Sequence, residues 1–127
     1  MKLLVPIGRA LFALIFLNAV ISNFSSGAID AGAAHGVPLA TLAVPLAGIL
    51  AGIGGLMILF GYRARFGAFL LLVFLVPVTL VMHDFWNVTD AAQAAMQRAN
   101  FLKNTALAGT LVLFMYYGAG PFSLDRD

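Results

Sequence analysis

The residues best suited to chemistry lie in two short polar stretches of an otherwise apolar chain. They combine an imidazole, a carboxylate, two amides and an ammonium, with an indole beside them: His83, Asp84, Trp86, Asn87, Lys103 and Asn104. The imidazole can gain or lose a proton near neutral pH, so the group could relay protons or bind a polar head group. A quinone is one such ligand, because its carbonyls need hydrogen-bond donors. In a competing interpretation, Asp84, Asn87 and Asn104 only cap helix ends and satisfy loop backbone.

Metal and nucleophile chemistry are not favoured by the residue types present. The chain has no Cys and two histidines, His35 and His83, which show no spacing typical of a haem or metal site. It also lacks a Gly-rich phosphate loop, an H-E-x-x-H motif and a credible nucleophile–base set. No acidic residue lies at mid-depth in an apolar segment, which disfavours an ion-coupled transporter. We therefore predict no metal site, and the sequence identifies no catalytic residue.

Composition points to a membrane protein. Of 127 residues, 62% are hydrophobic and 9% are charged, and the mean hydropathy is +1.01. Soluble domains carry about 25% charged residues, so this chain could not cover a soluble surface. The net charge of +2 rests on few charged residues and does not indicate nucleic-acid binding. We predict one transmembrane domain over residues 1–127.

Four apolar segments approach the length of about 20 residues that a helix needs to span a bilayer. The predicted spans are 5–24, 39–60, 66–82 and 101–118, which together predict an all-α integral membrane four-helix bundle. The first is predicted to be a span rather than a cleaved signal, because no A-x-A site follows it. Gly61 and Gly118 are predicted to end the second and fourth spans, and Pro77 to kink the third.

The connections between the spans are predicted from their polarity. The stretch 25–38 is expected to be a polar loop, and the basic turn 62–65 to make an antiparallel hairpin of the second and third spans. Asp90 is predicted to be the N-cap of a short interfacial helix that precedes the fourth span. The tail 122–127 is expected to be too short to fold.

Orientation follows from the positive residues at each end of the spans. With both termini in the cytoplasm, five Lys and Arg lie inside and two lie outside; the inner set is Lys2, Arg9, Arg63, Arg65 and Arg126, and the outer set is Arg98 and Lys103. This favours an N-in, C-in topology with the polar cluster and both histidines facing outward. Arg9, about one turn inside the first span, is expected to snorkel back to the interface.

Small and polar residues are predicted to hold the spans together, since lipid provides no hydrophobic force between helices. Gly48 and Gly52 form a G-x-x-x-G pair, with Gly55 beside it, and Gly109 gives the fourth span a similar small face. Asn18 is costly in hydrocarbon and is expected to point into the bundle.

Several motifs resemble the DoxX family of small membrane proteins. They are LIFL at 14–17, GGLMILFGYRAR at 54–65, HDFWN at 83–87, FLKNTALAGTLVL at 101–113 and GPFSLD at 120–125. The resemblance covers nearly the whole chain and implies a four-helix protein of the bacterial inner membrane. The chain departs from the family pattern at Asn23, where a Lys is common, and at Ala51, where a Glu is common. If the Lys and the Glu form a buried charge pair in the family, this chain has lost both halves of the pair together.

The resemblance also implies a link to quinone oxidoreductases. The first functional hypothesis is a membrane subunit or anchor of such an enzyme, with a quinone-binding pocket lined by His83, Asp84, Trp86 and Lys103 that opens to lipid. The second is a non-catalytic accessory subunit that packs against a larger membrane complex. The third is a carrier of a small lipophilic solute, which would need a continuous cavity that tight small-residue packing disfavours.

Overall fold

A computed structural model describes residues 1–125 of the chain as α-helices joined by short connections. The five α-helices are α1 (Leu4–Ser22), α2 (Ser26–Ala34), α3 (Ala40–Phe60), α4 (Ala64–Met82) and α5 (Ala91–Tyr117), and a 3-10 turn spans Phe85–Asn87. Arg126, which contributes to the predicted orientation, lies outside the described residues. The C-caps predicted at Gly61 and Gly118 are confirmed.

Two predicted connections were wrong. The stretch expected to be a loop contains α2, which begins where the Ser25 side chain accepts a hydrogen bond from the Ala28 amide at 3.1 Å. Asp90 is the N-cap, since its carboxylate accepts from the Gln93 amide at 2.9 Å, but the helix that it caps is not short. The predicted interfacial helix and fourth span form one helix of 27 residues, because nothing between them breaks the helix.

The helices pack as a chain of neighbours. α1 packs against α3, α3 against α4 and α4 against α5, while α2 packs against α3. The rings of Phe12 and Phe114, 5.5 Å apart, bring α1 and α5 together. Successive long helices are joined at alternate ends, so the bundle has two distinct ends. We call residues 23–39 and 83–90 the cavity end, and residues 1–9, 60–65 and 118–125 the tail end.

Much of the surface is apolar, whereas much of the interior is small. Leu11 and Ile21 are 65% and 78% exposed, while Ala51, Ala64 and Ala68 are completely buried. This is the distribution that a bilayer favours, because lipid tails solvate large apolar side chains and close helix packing needs small ones. Within residues 1–125, three stretches are long and apolar enough to cross a membrane: Leu4–Ser22, Ala40–Phe60 and Ala64–Asn87.

The glycines of α3 bring it close to α1. A Cβ placed on Gly48 would lie 2.9 Å from the carbonyl oxygen of Ala19, and one on Gly55 would lie 3.2 Å from Leu17 Cδ2. Gly52 lies against Val20 in the same way. The position of Gly109 differs, because it is exposed and has open space where a Cβ would be. The small packing face predicted at Gly109 of the last helix is therefore not used in a helix contact.

Asn18 does not point into the bundle. The contact face of α1 is formed by Ala13, Phe16 and Ala19, which are buried and spaced as one side of a helix. Asn18 comes two residues after Phe16, on the other side, and its side chain is exposed.

The Arg9 side chain reaches the tail end, but it is buried there by protein and not exposed at the surface. It is 2% exposed, and its Nη1 donates to the carbonyl oxygen of Ala119 at 3.1 Å. Its Nη2 donates to the carbonyl oxygen of Phe122. These carbonyls come after the end of α5, where backbone acceptors have no helical partner. The guanidinium supplies the donors, so it is held inside by the tail.

Residues 122–125 of the tail, which was expected to be too short to fold, are ordered by contacts with the α3–α4 turn. The amides of Leu124 and Asp125 donate to the carbonyl oxygens of Phe60 and Gly61 at 3.1 and 2.8 Å. The Asp125 carboxylate then accepts from the amides at positions 63 and 64, at 2.6 and 3.0 Å. These amides open α4, so the carboxylate caps that helix from a distant part of the chain.

Candidate functional site

A cavity of about 570 Å³ lies at the cavity end, between α2, α3 and α4. Its walls are mostly apolar; they include Ala43, Val44, Ala47 and Leu50 of α3, and Val73, Phe74, Pro77, Val78, Val81 and Met82 of α4. Leu50 lies ten residues beyond the start of α3 at Ala40, and Val73 lies nine before the end of α4 at Met82. At 1.5 Å per residue, the cavity reaches about 15 Å into the bundle.

Among residues 1–125, three polar side chains line this cavity, and each is the C-cap of a different helix. Asn23 follows α1, His35 follows α2 and His83 follows α4. The three helices end at the same side of the bundle, so the polar groups gather near one end of an apolar space. A site with an apolar body and few polar groups suits an amphipathic small molecule.

His35 ties α2 to the end of α4. Its Nδ1 lies 2.8 Å from the carbonyl oxygen of Ala31, one turn earlier in α2. Its Nε2 lies 3.9 Å from Asp84 Oδ1, and Asp84 Oδ2 accepts from the side-chain Nδ2 of Asn87 at 3.2 Å. The predicted site residues Asp84 and Asn87 thus meet beside the cavity rather than in its wall.

His83 and Asn23 are each held by one further contact. His83 Nδ1 lies 2.7 Å from Gln97 Oε1 on α5, and Asn23 Nδ2 donates to the carbonyl oxygen of Val44 at 3.0 Å. Both contacts leave part of the side chain unused. Among residues 1–125, neither Asn23 Oδ1 nor His83 Nε2 has a hydrogen-bond partner. Neither atom is among the buried polar atoms without a partner, so both remain accessible.

The structure separates the other residues predicted to form one site. Trp86 is exposed, with its ring 5.2 and 5.9 Å from those of Phe85 and Phe101. Lys103 is exposed, whereas Asn104 is buried and donates to Thr79 Oγ1 at 3.1 Å, between α5 and α4. Adjacent residues on a helix point about 100° apart, and here Lys103 faces outward while Asn104 faces α4.

Two cavity residues were not predicted as a site. His35 is predicted only to face outward without forming a metal site, and Asn23 is singled out only as a departure from a family pattern. Their place depends on α2, whose docking brings His35 to the end of α4. The sequence signal that could have predicted this helix is Ser25, which is its N-cap. Ala51, the other position of the supposed charge pair, is fully buried among apolar residues of the core.

Comparisons with known proteins point to one family. The sequence profile of the family described as HR-like lesion-inducing matches residues 37–117, which is more than half of the chain. The inner membrane protein YphA of Escherichia coli K12 is 29% identical over 100 residues, which cover 79% of this chain and 71% of that protein. The uncharacterized protein T02E1.7 of Caenorhabditis elegans is 33% identical over 66 residues, 52% of this chain and 24% of that one. No solved structure matches.

These findings correct the predicted membership of the DoxX family, which was wrong, because the matching profile is that of a different family. The predicted location is confirmed. The similarity to an inner membrane protein and the three apolar stretches identify a multi-pass protein of the inner membrane.

Proposed function

The chain belongs to the HR-like lesion-inducing family, and from its cavity we propose that it is a membrane protein that binds a lipophilic small molecule with a polar head group. One observation carries the proposal: an apolar space of about 570 Å³ has three polar side chains near one end. Small-molecule sites have this size and this distribution of polar groups. The ligand's apolar body would lie between α3 and α4, with its head group near Asn23, His35 and His83.

The proposal includes a topology of four spans with both termini in the cytoplasm. α5 supports it by pairing with α4 over most of its length, through Gln97 near one end and Tyr116 near the other, where the Tyr116 carbonyl accepts from Arg65 at 2.7 Å. The excess of Lys and Arg at the tail end supports the orientation. The cavity end then faces the periplasm.

Single cysteines test this topology cleanly, because the chain has none of its own. We expect a membrane-impermeant maleimide to label Ser26→Cys and Thr89→Cys on intact cells. Tyr62→Cys and Leu124→Cys should be labelled only after permeabilisation. Labelling of Leu124→Cys but not of Tyr62→Cys on intact cells would show that α5 does not cross.

A cavity-filling variant tests ligand binding. We expect 4-octylphenol, whose length is similar to the depth of the cavity, to bind the wild-type protein in nanodiscs, with protein-free nanodiscs used to subtract partitioning into lipid. Ala47→Phe places a ring in the cavity wall and should abolish binding. Ala106→Phe, the same change at an exposed position of α5, should leave binding unchanged. Equal binding by the wild type and Ala47→Phe would refute the site.

A narrower form of the proposal makes the ligand a member of a quinone–quinol couple and the chain the membrane subunit or anchor of a quinone-linked oxidoreductase. Its support is the single polar end of the cavity, which suits a ring with oxygen substituents. Purification from native membranes in mild detergent tests it. A redox enzyme and a quinone should co-purify in fixed proportion to this chain.

A second candidate function is that of a non-catalytic accessory subunit. It is favoured by α5, where Gly109 leaves an open position on an exposed face. The same purification distinguishes it: a partner in fixed proportion, without a bound small molecule, would support this role. Gly109→Leu should then weaken the association, because close helix approach requires a small residue.

A further inference from the structure

The hydrogen bond of Asn23 determines which part of its amide is free. Its Nδ2 donates to the carbonyl oxygen of Val44 at 3.0 Å. A backbone carbonyl can only accept, so the NH₂ group must face Val44. The other end of the amide, Oδ1, is an acceptor and has no protein partner among residues 1–125. Asn23 therefore offers the cavity mainly a hydrogen-bond acceptor.

His83 offers the same kind of group. Its Nδ1 lies 2.7 Å from Gln97 Oε1, and an amide oxygen accepts, so Nδ1 carries the proton. In a neutral imidazole with its proton on one nitrogen, the other nitrogen is an acceptor. His83 Nε2 therefore has a lone pair, and it too has no protein partner in the described part of the chain.

The third polar residue does not supply a free donor either. His35 Nδ1 is used by the carbonyl oxygen of Ala31 at 2.8 Å, and its Nε2 faces Asp84 at 3.9 Å. The Asp84 carboxylate also places negative charge next to this end of the cavity. Among residues 1–125 no Lys or Arg lines the cavity, and any positive charge on His35 is paired with Asp84, so an anionic head group would meet lone pairs and a carboxylate without an unpaired cation.

We infer that the head group of the ligand is a neutral hydrogen-bond donor, that is, a hydroxyl group on an apolar body, as in a phenol, a quinol or a long-chain alcohol. The inference rests on the proposed function, because it specifies the ligand of the same cavity. Hydroxyl hydrogens donate to Asn23 Oδ1 and His83 Nε2, whereas the carbonyls of a quinone would place acceptor against acceptor. Within a quinone couple, the site therefore selects the reduced form.

A matched pair of probes tests this inference. 4-Octylphenol and its methyl ether, 4-octylanisole, have nearly the same shape, but only the phenol donates a hydrogen bond. We expect the phenol to bind about tenfold more tightly, because the ether leaves the acceptors of the site unpaired. Affinities are measured in nanodiscs and corrected for the partitioning of each probe into protein-free nanodiscs.

Variants show which residues cause the preference for the phenol over the ether. His83→Phe keeps a ring of similar shape but removes the Nε2 acceptor, so it should bring phenol affinity close to that of the ether while ether affinity stays the same. Asn23→Leu should reduce the preference in the same direction. Asn87→Leu, the same change at an amide outside the cavity wall, should keep the full preference.

The outcomes separate this inference from the proposed function. If neither probe binds, the proposed function fails, and this inference fails with it. If both bind equally and Ala47→Phe abolishes both, the cavity is a ligand site but the preference for a donor is overturned. Tighter binding of the ether, or a preference that survives in His83→Phe, would also overturn the inference.

Discussion

The two ends of the bundle are closed in different ways. At the tail end, the chain folds back on itself through backbone hydrogen bonds, a carboxylate that caps α4 and the buried Arg9. At the cavity end, α2 reaches the end of α4 through one long ion pair, between His35 and Asp84, beside an open space. One end is thus filled with protein, whereas the other is only partly covered.

This difference indicates that the two ends of the bundle have different roles. Segments with many internal contacts open rarely, whereas segments with few open at low cost, and ligand sites are drawn from the second kind. A helix of nine residues that packs mainly against α3, such as α2, is expected to open at lower cost than the tail end. Under the proposed function, a ligand would enter at the cavity end while the tail end keeps the bundle assembled.

The largest effect is expected from Arg9→Met at the tail end. This change leaves the buried carbonyl oxygen of Ala119 and that of Phe122 without their donor, which should cost about 3 kcal/mol. The thermal unfolding midpoint in detergent should fall, and a protease should cut the tail faster. Lys2→Met, at an exposed position, is the control. An unchanged midpoint would mean that the tail does not hold the bundle.

The next largest effect is expected at the α1–α3 contact beside the cavity end. A Cβ on Gly48 would lie 2.7 Å from Asn23 Cβ, so Gly48→Ala should force the helices apart at a cost of about 2 kcal/mol. It should also weaken binding of 4-octylphenol, because Asn23 shifts with α1. Gly109→Ala, with open space around it, should change neither property. Similar stability of the two variants would contradict the packing described.

A smaller effect is expected when the cap of α4 is removed. Asp125→Ala takes away the acceptor for the two amides that open α4, and loss of an N-cap costs about 1 kcal/mol. Unfolding in detergent should show this loss, while probe binding at the opposite end stays the same. Asp30→Ala removes an exposed carboxylate as a control. A change in probe affinity would show that the two ends are coupled, which would contradict separate roles for the tail end and the cavity end.

The smallest effect on stability is expected at the cavity end. Asp84→Asn removes the charge that faces His35, and a partly exposed pair of this kind contributes about 0.5 kcal/mol or less. The amides of residues 26–35 should nevertheless exchange with deuterium faster, because α2 loses its tie to α4. Asp90→Asn, which keeps a capping side chain on α5, should leave that exchange unchanged. A large loss of global stability would show that this end is not loosely held.

The sequence predicted the helices that depend on local patterns. Long apolar runs identified α1, α3 and α4, and Gly61 and Gly118 marked ends that the structure confirms. It could not predict the environment of Arg9, because the partners of its guanidinium are backbone carbonyls about 110 residues later in the chain. Contacts of that range depend on how the whole bundle closes.

The candidate site was predictable only in part, for a related reason. His83 stood out as a titratable residue at the end of an apolar run. The position of His35 in the cavity wall depends on α2. This helix is hard to predict from the sequence because its residues are mainly Gly and Ala. Nearness in sequence also grouped Lys103 with Asn104, although the helix turns one outward and the other toward Thr79.

Hydrogen–deuterium exchange with and without 4-octylphenol tests the contrast between the two ends most directly. With the protein in nanodiscs, peptides from residues 26–38 and 118–125 report on the cavity end and the tail end in one experiment. We predict that the probe slows exchange in 26–38 and leaves 118–125 unchanged. Protection confined to the tail end, or no protection at the cavity end by a probe that binds, would contradict the account.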